Sequence, residues 1–109
     1  MAKHEFGIMK IPPQKGKSYE TYNPQKYHCI SVNDDDLVNI LASLESVDFY
    51  WHSLGVPGKG LAYCGISLIP PASMQAFISA IGNLPELSEL KALLQKAHAE
   101  NKWIIHFGL

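Results

Sequence analysis

Histidine and cysteine are the side chains best suited to chemistry near neutral pH, and this chain of 109 residues contains five histidines and two cysteines. His52 is the first of interest, because it follows Tyr50 in the aromatic segment DFYWH at residues 48–52. An imidazole changes charge close to neutral pH and therefore transfers protons readily. We expect His52 to be hydrogen-bonded to a tyrosine in a packed interface, or to act as a general acid or base if the chain is an enzyme.

A cysteine beside a histidine would offer a second kind of chemistry, because imidazolium activates a neighbouring thiolate. Cys29 with His52 or His106 would form such a pair, but no local motif supports it, and cysteines of this kind are more often small buried hydrophobes. The chain has neither C-x-x-C nor H-x-x-x-H spacing, so a metal site would have to be assembled from separate strands, for example from His52, His106 and Cys29. We predict no metal and no cofactor.

Two further segments contain residues that bind ions in other proteins. Asp34, Asp35 and Asp36 are consecutive, and consecutive side chains on a helix diverge, so we predict that they form the first turn of a helix, with Asn33 or Asp34 as its cap. The loop GVPGKG at residues 55–60 offers backbone amides and Lys59 to an anion, but it lacks the spacing of a phosphate loop. We interpret it as a connection between strands, with Lys59 as a candidate anion ligand.

The hydrophobic pattern predicts the elements that position these residues. Apolar residues at helical spacing predict three helices, at residues 34–44, at residues 74–81 and from Pro85 to residue 97. Aromatic and β-branched runs predict strands, at residues 4–10, 26–32, 47–54, 61–69 and 102–107. The prolines and glycines of residues 11–24 predict a long loop.

The order of these elements predicts the fold class. From residue 26 onward it is strand, helix, strand, strand, helix pair, strand, which is the ferredoxin-like split βαβ order of an α+β sandwich, with helices on one face of an antiparallel sheet. We expect a single domain over residues 1–109. Residues 1–25 would form an N-terminal strand or arm and the long loop, with the strand at the edge of the sheet, and residues 26–109 the ferredoxin-like core.

Strand parity predicts which side chains the helices leave uncovered, because alternate residues of a strand point to opposite faces. If the helices cover the more apolar set, the other face is aromatic and polar. It would carry Tyr27, Cys29, Asp48, Tyr50, His52, Tyr63 and His106. A register slip of one residue would invert this assignment. We expect this face to be hidden by the 11–24 loop or by a second subunit, to form a small-molecule cleft, or to bind a different protein chain.

Composition argues against two classes of partner. The net charge is −1 and the nine basic residues are all lysines, which disfavours nucleic acid, whose phosphates are recognised by basic stripes and arginine forks. No apolar run approaches the roughly 20 residues that span a bilayer, so no membrane partner is expected. The charged N-terminus and the presence of only two cysteines indicate a cytoplasmic protein with reduced thiols.

These observations lead to two expectations about function. The first is a cytoplasmic binding or regulatory domain, homodimeric through or around the uncovered face. The alternative is a small enzyme with its cleft on that face, with His52 as general acid or base and with Tyr50 and Tyr63 orienting the substrate.

Overall fold

The computed structural model of the protein describes residues 2–109. Six strands and three helices form most of this part of the chain. The strands are β1 (Lys3–Ile8), β2 (Ile30–Asn33), β3 (Asp48–Trp51), β4 (Pro57–Lys59), β5 (Ile66–Ile69) and β6 (Ile104–Phe107). The helices are α1 (Asp34–Leu44), α2 (Pro71–Ile81) and α3 (Ser88–Ala99), and short 3₁₀ helices cover Pro24–Tyr27 and Pro85–Leu87.

The three helices lie where the sequence predicted them, because each has an apolar stripe at helical spacing. In α1 the buried side chains are Leu37, Ile40 and Leu44, and α2 and α3 bury equivalent stripes. The proline predicted to start the third helix instead begins the 3₁₀ turn Pro85–Leu87, and α3 starts directly after it. None of the helices within residues 2–109 has the length and apolar character that crossing a membrane requires.

The sheet is antiparallel throughout, with the strand order β2-β1-β6-β5-β3-β4. With three helices packed against it, this arrangement confirms the predicted α+β class. The ferredoxin-like arrangement is not confirmed, because β1 lies between β2 and β6 instead of at an edge. The expected edge position of the N-terminal strand is wrong, because β1 pairs with β2 on one side and with β6 on the other, and its buried His4 lies within hydrogen-bond distance of His106 on β6.

Both faces of the sheet are apolar. The face away from the helices, called here the second face, carries a second hydrophobic cluster, formed by Met9, Tyr19, Ile66, Leu68, Ile105 and Phe107. Met9 and Tyr19 belong to the segment between β1 and β2, which therefore lies over the second face as the sequence allowed. Because this cover is apolar, hydrophobicity does not distinguish the two faces.

The predicted faces of β5 and β6 are consequently inverted. Ile66 and Leu68 belong to the second cluster, whereas Ile69 and Ile104 belong to the main core under the helices. His106 has the parity of Ile104 and contacts the ring of Phe6 at a centroid distance of 4.8 Å. It therefore lies on the helix side, and its predicted position on the uncovered face is wrong.

The strand predicted for residues 26–32 begins later than expected. Its first residues belong to the 3₁₀ helix Pro24–Tyr27, and His28 has a left-handed backbone with φ of 51°. Proline at the first position of that helix presets a helical φ. The turn passes so close to β1 that a Cβ at Gly7 would lie 2.7 Å from both Cys29 Sγ and the carbonyl oxygen of Tyr27.

We expect Gly7→Ala to lower the free energy of unfolding by about 1–3 kcal/mol, the usual range for overpacking a well-filled site. The added methyl group can be accommodated only if the 24–29 turn moves away from the sheet. Urea denaturation measures the change. Gly55→Ala is the matched control, because its nearest neighbour would be Ser53 Oγ at an ordinary 3.6 Å; equal midpoints for the two variants would contradict the close approach at Gly7.

Candidate functional site

His52 lies directly after β3 at the centre of a tight turn. The Ser53 N–H donates to the Trp51 carbonyl at 2.8 Å, and His52 has φ of 67°. A three-residue turn with positive φ is rare and strained for any residue other than glycine. The turn is held from both sides, because the His52 N–H donates to Ile66 at 3.0 Å and its carbonyl accepts from Tyr19 at 2.6 Å.

The backbone groups of His52 have hydrogen-bond partners, but its ring lacks one. Its Cε1 and Nε2 atoms pack over Gly65, 3.0 Å from where a Cβ would stand. Its Nδ1 atom is buried without a hydrogen-bond partner, the only such side-chain nitrogen or oxygen in residues 2–109. The expected hydrogen bond to a tyrosine is therefore not formed. A buried polar atom without a partner in a strained turn is typical of a functional site.

An open groove of about 770 Å³ lies beside this ring. It is situated on the second face, at the end of the sheet where β1 and β5 begin and β6 ends. Its lining consists of Ala2, Lys3, Glu5, Glu20, Tyr22, His52, Cys64, Gly65, Ile66, Phe107, Gly108 and Leu109. Of the residues singled out in the sequence, only His52 lines it.

The groove combines an apolar floor with acidic walls. Ile66 and Phe107 supply apolar surface, and the Tyr22 ring packs edge-on against Phe107 at a centroid distance of 5.4 Å. The Tyr22 hydroxyl donates to the Glu5 carboxylate, and this hydrogen bond raises the pKa of Tyr22. Because Glu5 and Glu20 both line the groove and Lys3 is the only lysine in the lining, the walls carry more negative than positive charge.

Three of the predicted ligand-binding residues lie against the second hydrophobic cluster instead. Tyr27, Cys29 and Tyr50 are half-buried and pack on it, and the Tyr50 ring lies 5.7 Å from that of Trp103. Burial, together with the charge of Glu5, raises the pKa of the Cys29 thiol to about 12. Cys29 is therefore a protonated thiol, which does not suit the nucleophile considered for it. The conceivable metal set is not assembled either, because His106 lies on the opposite face of the sheet.

Lys59 is on the edge strand β4. That strand is formed by part of the loop that the sequence placed between two strands, and it pairs with β3 so that Lys59 is opposite Asp48. The two side chains form an exposed ion pair. Lys59 therefore has a partner within the sheet and lies outside the groove.

His106 and Tyr63 belong to a polar chain on the helix side of the sheet. His4 donates from Nε2 to Asp34 at 2.9 Å, and its Nδ1 lies 2.9 Å from Nε2 of His106. Nδ1 of His106 in turn lies 3.0 Å from the Ser67 hydroxyl. At the other end, the Tyr63 hydroxyl donates to both Asp34 oxygens, at 2.6 and 2.7 Å.

From Ser67 through His106 and His4, each hydrogen bond of this chain is donated towards Asp34. The Asp34 carboxylate can only accept, so His4 donates from Nε2 and, with neutral rings, accepts at Nδ1 from His106. His106 then accepts at Nδ1 from the Ser67 hydroxyl, which itself accepts from the Ala62 N–H at 2.7 Å. Every ring nitrogen of the two buried histidines is thereby satisfied. Asp34 is consequently engaged with His4 and Tyr63 and does not cap α1 through its side chain.

Burial and hydrogen bonding shift the pKa values along the chain. Desolvation by burial holds the pKa of His106 well below its usual range, and a positive charge on His4 would lower it further. Hydrogen bonds from Tyr63 and His4 lower the pKa of Asp34. The same bond to Asp34 raises the pKa of Tyr63 to about 12. His106 has no exposed surface with which to contact a ligand, so the geometry gives it a structural position.

Sequence reasoning missed the carboxylates of the groove and Cys64. Glu5 and Glu20 are far apart in sequence, and neither belongs to a recognisable motif. Cys64 is exposed because residues 61–65 are not the strand that was predicted and instead form a turn before β5. The sequence contains no signal for a common site, because Glu5 and Glu20 are the only acidic residues in a basic N-terminal segment that contains five lysines before residue 34.

We expect stability to fall as the pH drops below about 6.5, by up to about 1.4 kcal/mol per pH unit. His106 has a lowered pKa in the folded protein, so below that pH the unfolded chain binds a proton that the folded protein does not. Asp34, whose pKa is also lowered in the folded protein, affects stability in a separate pH range, below about pH 4. Urea denaturation at several pH values between 7.5 and 5 measures the slope.

His106→Gln should remove most of this slope, whereas His98→Gln, at an exposed position of α3, should retain it. A parent protein whose free energy of unfolding is constant between pH 7.5 and 5 would show that His106 does not remain neutral in the fold.

Comparison of the chain with protein-family models, with curated protein sequences and with solved structures gave no match to any of them. Function is therefore inferred from the geometry of the groove and of His52.

Proposed function

We propose that this protein is a small binding domain whose groove holds a small organic cation, with His52 as the hydrogen-bonding residue. One observation carries the proposal: His52 occupies a strained turn and keeps a buried ring nitrogen without a partner beside an open groove. Strain of this kind costs of order 1–3 kcal/mol and is typically retained where a ligand uses it. The cytoplasmic location expected from the sequence stays a prediction.

The charge and the aromatic groups of the groove support a cationic ligand. Glu5 and Glu20 line it together with the exposed ring of Tyr22. A carboxylate and an aromatic face together attract an ammonium group, one by charge and the other by its quadrupole. The apolar part of the ligand would lie on Ile66 and Phe107, from which it would displace water.

The proposal includes the homodimer expected from the sequence, with its interface at the rim of the groove. Residues of the second face need no second subunit for cover, since the segment between β1 and β2 buries them. Exposed apolar side chains remain at the groove, namely Tyr22 and Leu109 in its lining and Tyr63, whose carbonyl accepts from the Leu109 N–H at 2.9 Å. A second copy placed against this rim would close the open side of the groove.

An enzyme that uses His52 as general acid or base is the second candidate, and the unpartnered Nδ1 atom favours it. The orienting tyrosines expected from the sequence are not in the groove, because Tyr50 packs against Trp103 and the Tyr63 hydroxyl is bonded to Asp34. In this candidate the carboxylates of the groove would position the substrate. Conversion of a bound compound by the parent protein, and not by a His52 variant, distinguishes the enzyme from the binding domain.

Titration with benzylamine, followed by ¹H–¹⁵N NMR, should perturb resonances around Glu5, His52 and Phe107. Benzyl alcohol has the same ring without the charge and should perturb them far less. Equal responses to the two compounds would remove the charge argument, and the absence of any response to benzylamine would remove the proposed ligand class.

His52→Gly should raise the free energy of unfolding by about 1 kcal/mol, because strain relief of order 1–3 kcal/mol exceeds the roughly 0.5–1 kcal/mol of added backbone entropy. It should also weaken benzylamine binding about tenfold, by loss of the imidazole hydrogen bond. His28→Gly is a matched control, because His28 also has positive φ but lies outside the groove. A His52→Gly protein that is destabilised and binds benzylamine normally would mean that His52 has a structural role.

Native mass spectrometry tests the dimer. We expect the parent protein to be a dimer and Leu109→Asp to shift it towards the monomer, because a charge at the rim opposes close packing of two copies. Val38→Asp changes an equally exposed apolar residue on α1 and should leave the assembly unchanged. A parent protein that is monomeric at micromolar concentration contradicts the dimer without affecting the groove.

A further inference from the structure

A second and smaller cavity, of about 230 Å³, lies between the end of β1 and the loop that follows it. Three of the nine lysines in the chain line it, namely Lys10, Lys17 and Lys26, and His28 lies beside them. No aspartate or glutamate is among its lining residues. The cavity thus brings together basic side chains from the end of β1, the long loop and the 3₁₀ helix, which appeared scattered in the sequence.

No carboxylate of the described part of the chain forms an ion pair with any of these three lysines. The ion pairs of residues 2–109 involve other basic side chains, His4, Lys59 and Lys102. Three ammonium groups facing one cavity repel one another, and a bound anion would remove that repulsion. The site is therefore electrostatically complementary to a negatively charged ligand.

Two tyrosine rings form walls of the same cavity. Lys17 Nζ lies 5.0 Å from the centroid of the Tyr19 ring and Lys26 Nζ lies 5.5 Å from that of Tyr27. These cation–π contacts hold the ammonium groups next to flat apolar surface. The Tyr19 hydroxyl accepts from the Gln14 N–H at 3.1 Å, which leaves its own proton to donate to a ligand.

We infer that this cavity binds a monocyclic aromatic anion, with the ring between the tyrosines and the acidic group among the lysines. Cavities for drug-sized ligands begin at about 300 Å³, so a cavity of 230 Å³ suits a single ring with one acidic group. Lysine acts as a point charge and requires no fixed fork geometry, so a carboxylate and a phosphate are both compatible with the site. The inference does not depend on the groove, which lies at the other end of the sheet and selects the opposite charge.

Because of the position of the cavity, a bound ligand would also stabilise the fold. Tyr19 is buried in the second hydrophobic cluster, and Lys10, Lys17 and Lys26 lie on three parts of the segment that covers it. An anion shared by these lysines would hold the segment against the sheet. Ligand binding should therefore stabilise the folded protein in proportion to ligand concentration.

Titration with sodium benzoate, followed by ¹H–¹⁵N NMR and by thermal unfolding, tests the inference. Benzoate should perturb resonances of residues 8–12, 17–19 and 26–28 and raise the melting temperature, whereas the neutral isostere benzamide should do neither. Phenyl phosphate should bind at the same residues, and inorganic phosphate should bind at least tenfold more weakly because it lacks the ring. Inorganic phosphate that binds as tightly as benzoate would overturn the aromatic part, and benzamide that binds as tightly would overturn the anionic part.

Variants locate the site. Lys17→Gln with Lys26→Gln should weaken benzoate binding about tenfold or more, since a hydrogen bond to a charged group is lost at each position. Lys96→Gln changes an exposed lysine of α3 and should bind benzoate as the parent does. A double variant that retains parental affinity, or a parent protein that does not respond to benzoate, would refute the inference.

Discussion

A buried polar chain crosses the centre of the sheet, from the Asp34 carboxylate through His4 and His106 to the Ser67 hydroxyl. Two completely buried imidazoles would destabilise an apolar core unless each ring nitrogen had a partner. They are satisfied only when β1 lies directly beside β6 with His4 and His106 on the helix side. A shift of one residue would turn either ring to the second face and leave several polar atoms unpaired. This constraint opposes the ferredoxin-like strand order, in which β1 would be an edge strand.

The segment that covers the second face is the other feature on which the structure depends. The segment between β1 and β2 buries the middle of this face with Met9 and Tyr19, so one chain completes two apolar layers. The groove lies at the edge of this covering segment. There the Tyr19 N–H donates to the His52 carbonyl and so holds the strained turn. Where the segment leaves β1, it encloses the basic cavity. The two proposed sites are therefore open spaces at opposite ends of the second face of the sheet, and they differ in the sign of their charge.

Sequence periodicity was sufficient for the helices and for the α+β class, because Leu37, Ile40 and Leu44 repeat at a spacing that only a helix places on one face. It was insufficient for β5 and β6, whose residues are buried on both faces and therefore show no alternation. His52 was singled out from its aromatic neighbours, but its strained turn depends on hydrogen bonds to Ile66 and Tyr19, which are distant in sequence. The lysine cluster was not predicted, since its members lie in a segment without regular periodicity.

The interior position of β1 also has a consequence for how the chain folds. His4 and His106 are separated by 102 residues, and closing a loop of that length costs about 4 kcal/mol in chain entropy. The hairpin of β1 with β2 can form early, yet the sheet stays in two halves, each with an open edge, until residues 104–107 enter between β1 and β5. During synthesis on the ribosome, those edges stay unpaired until residues 104–107 have been made. The specific order of the finished sheet thus depends on pairing between residues far apart in sequence, a property that favours slow folding and leaves strand edges exposed before the sheet closes.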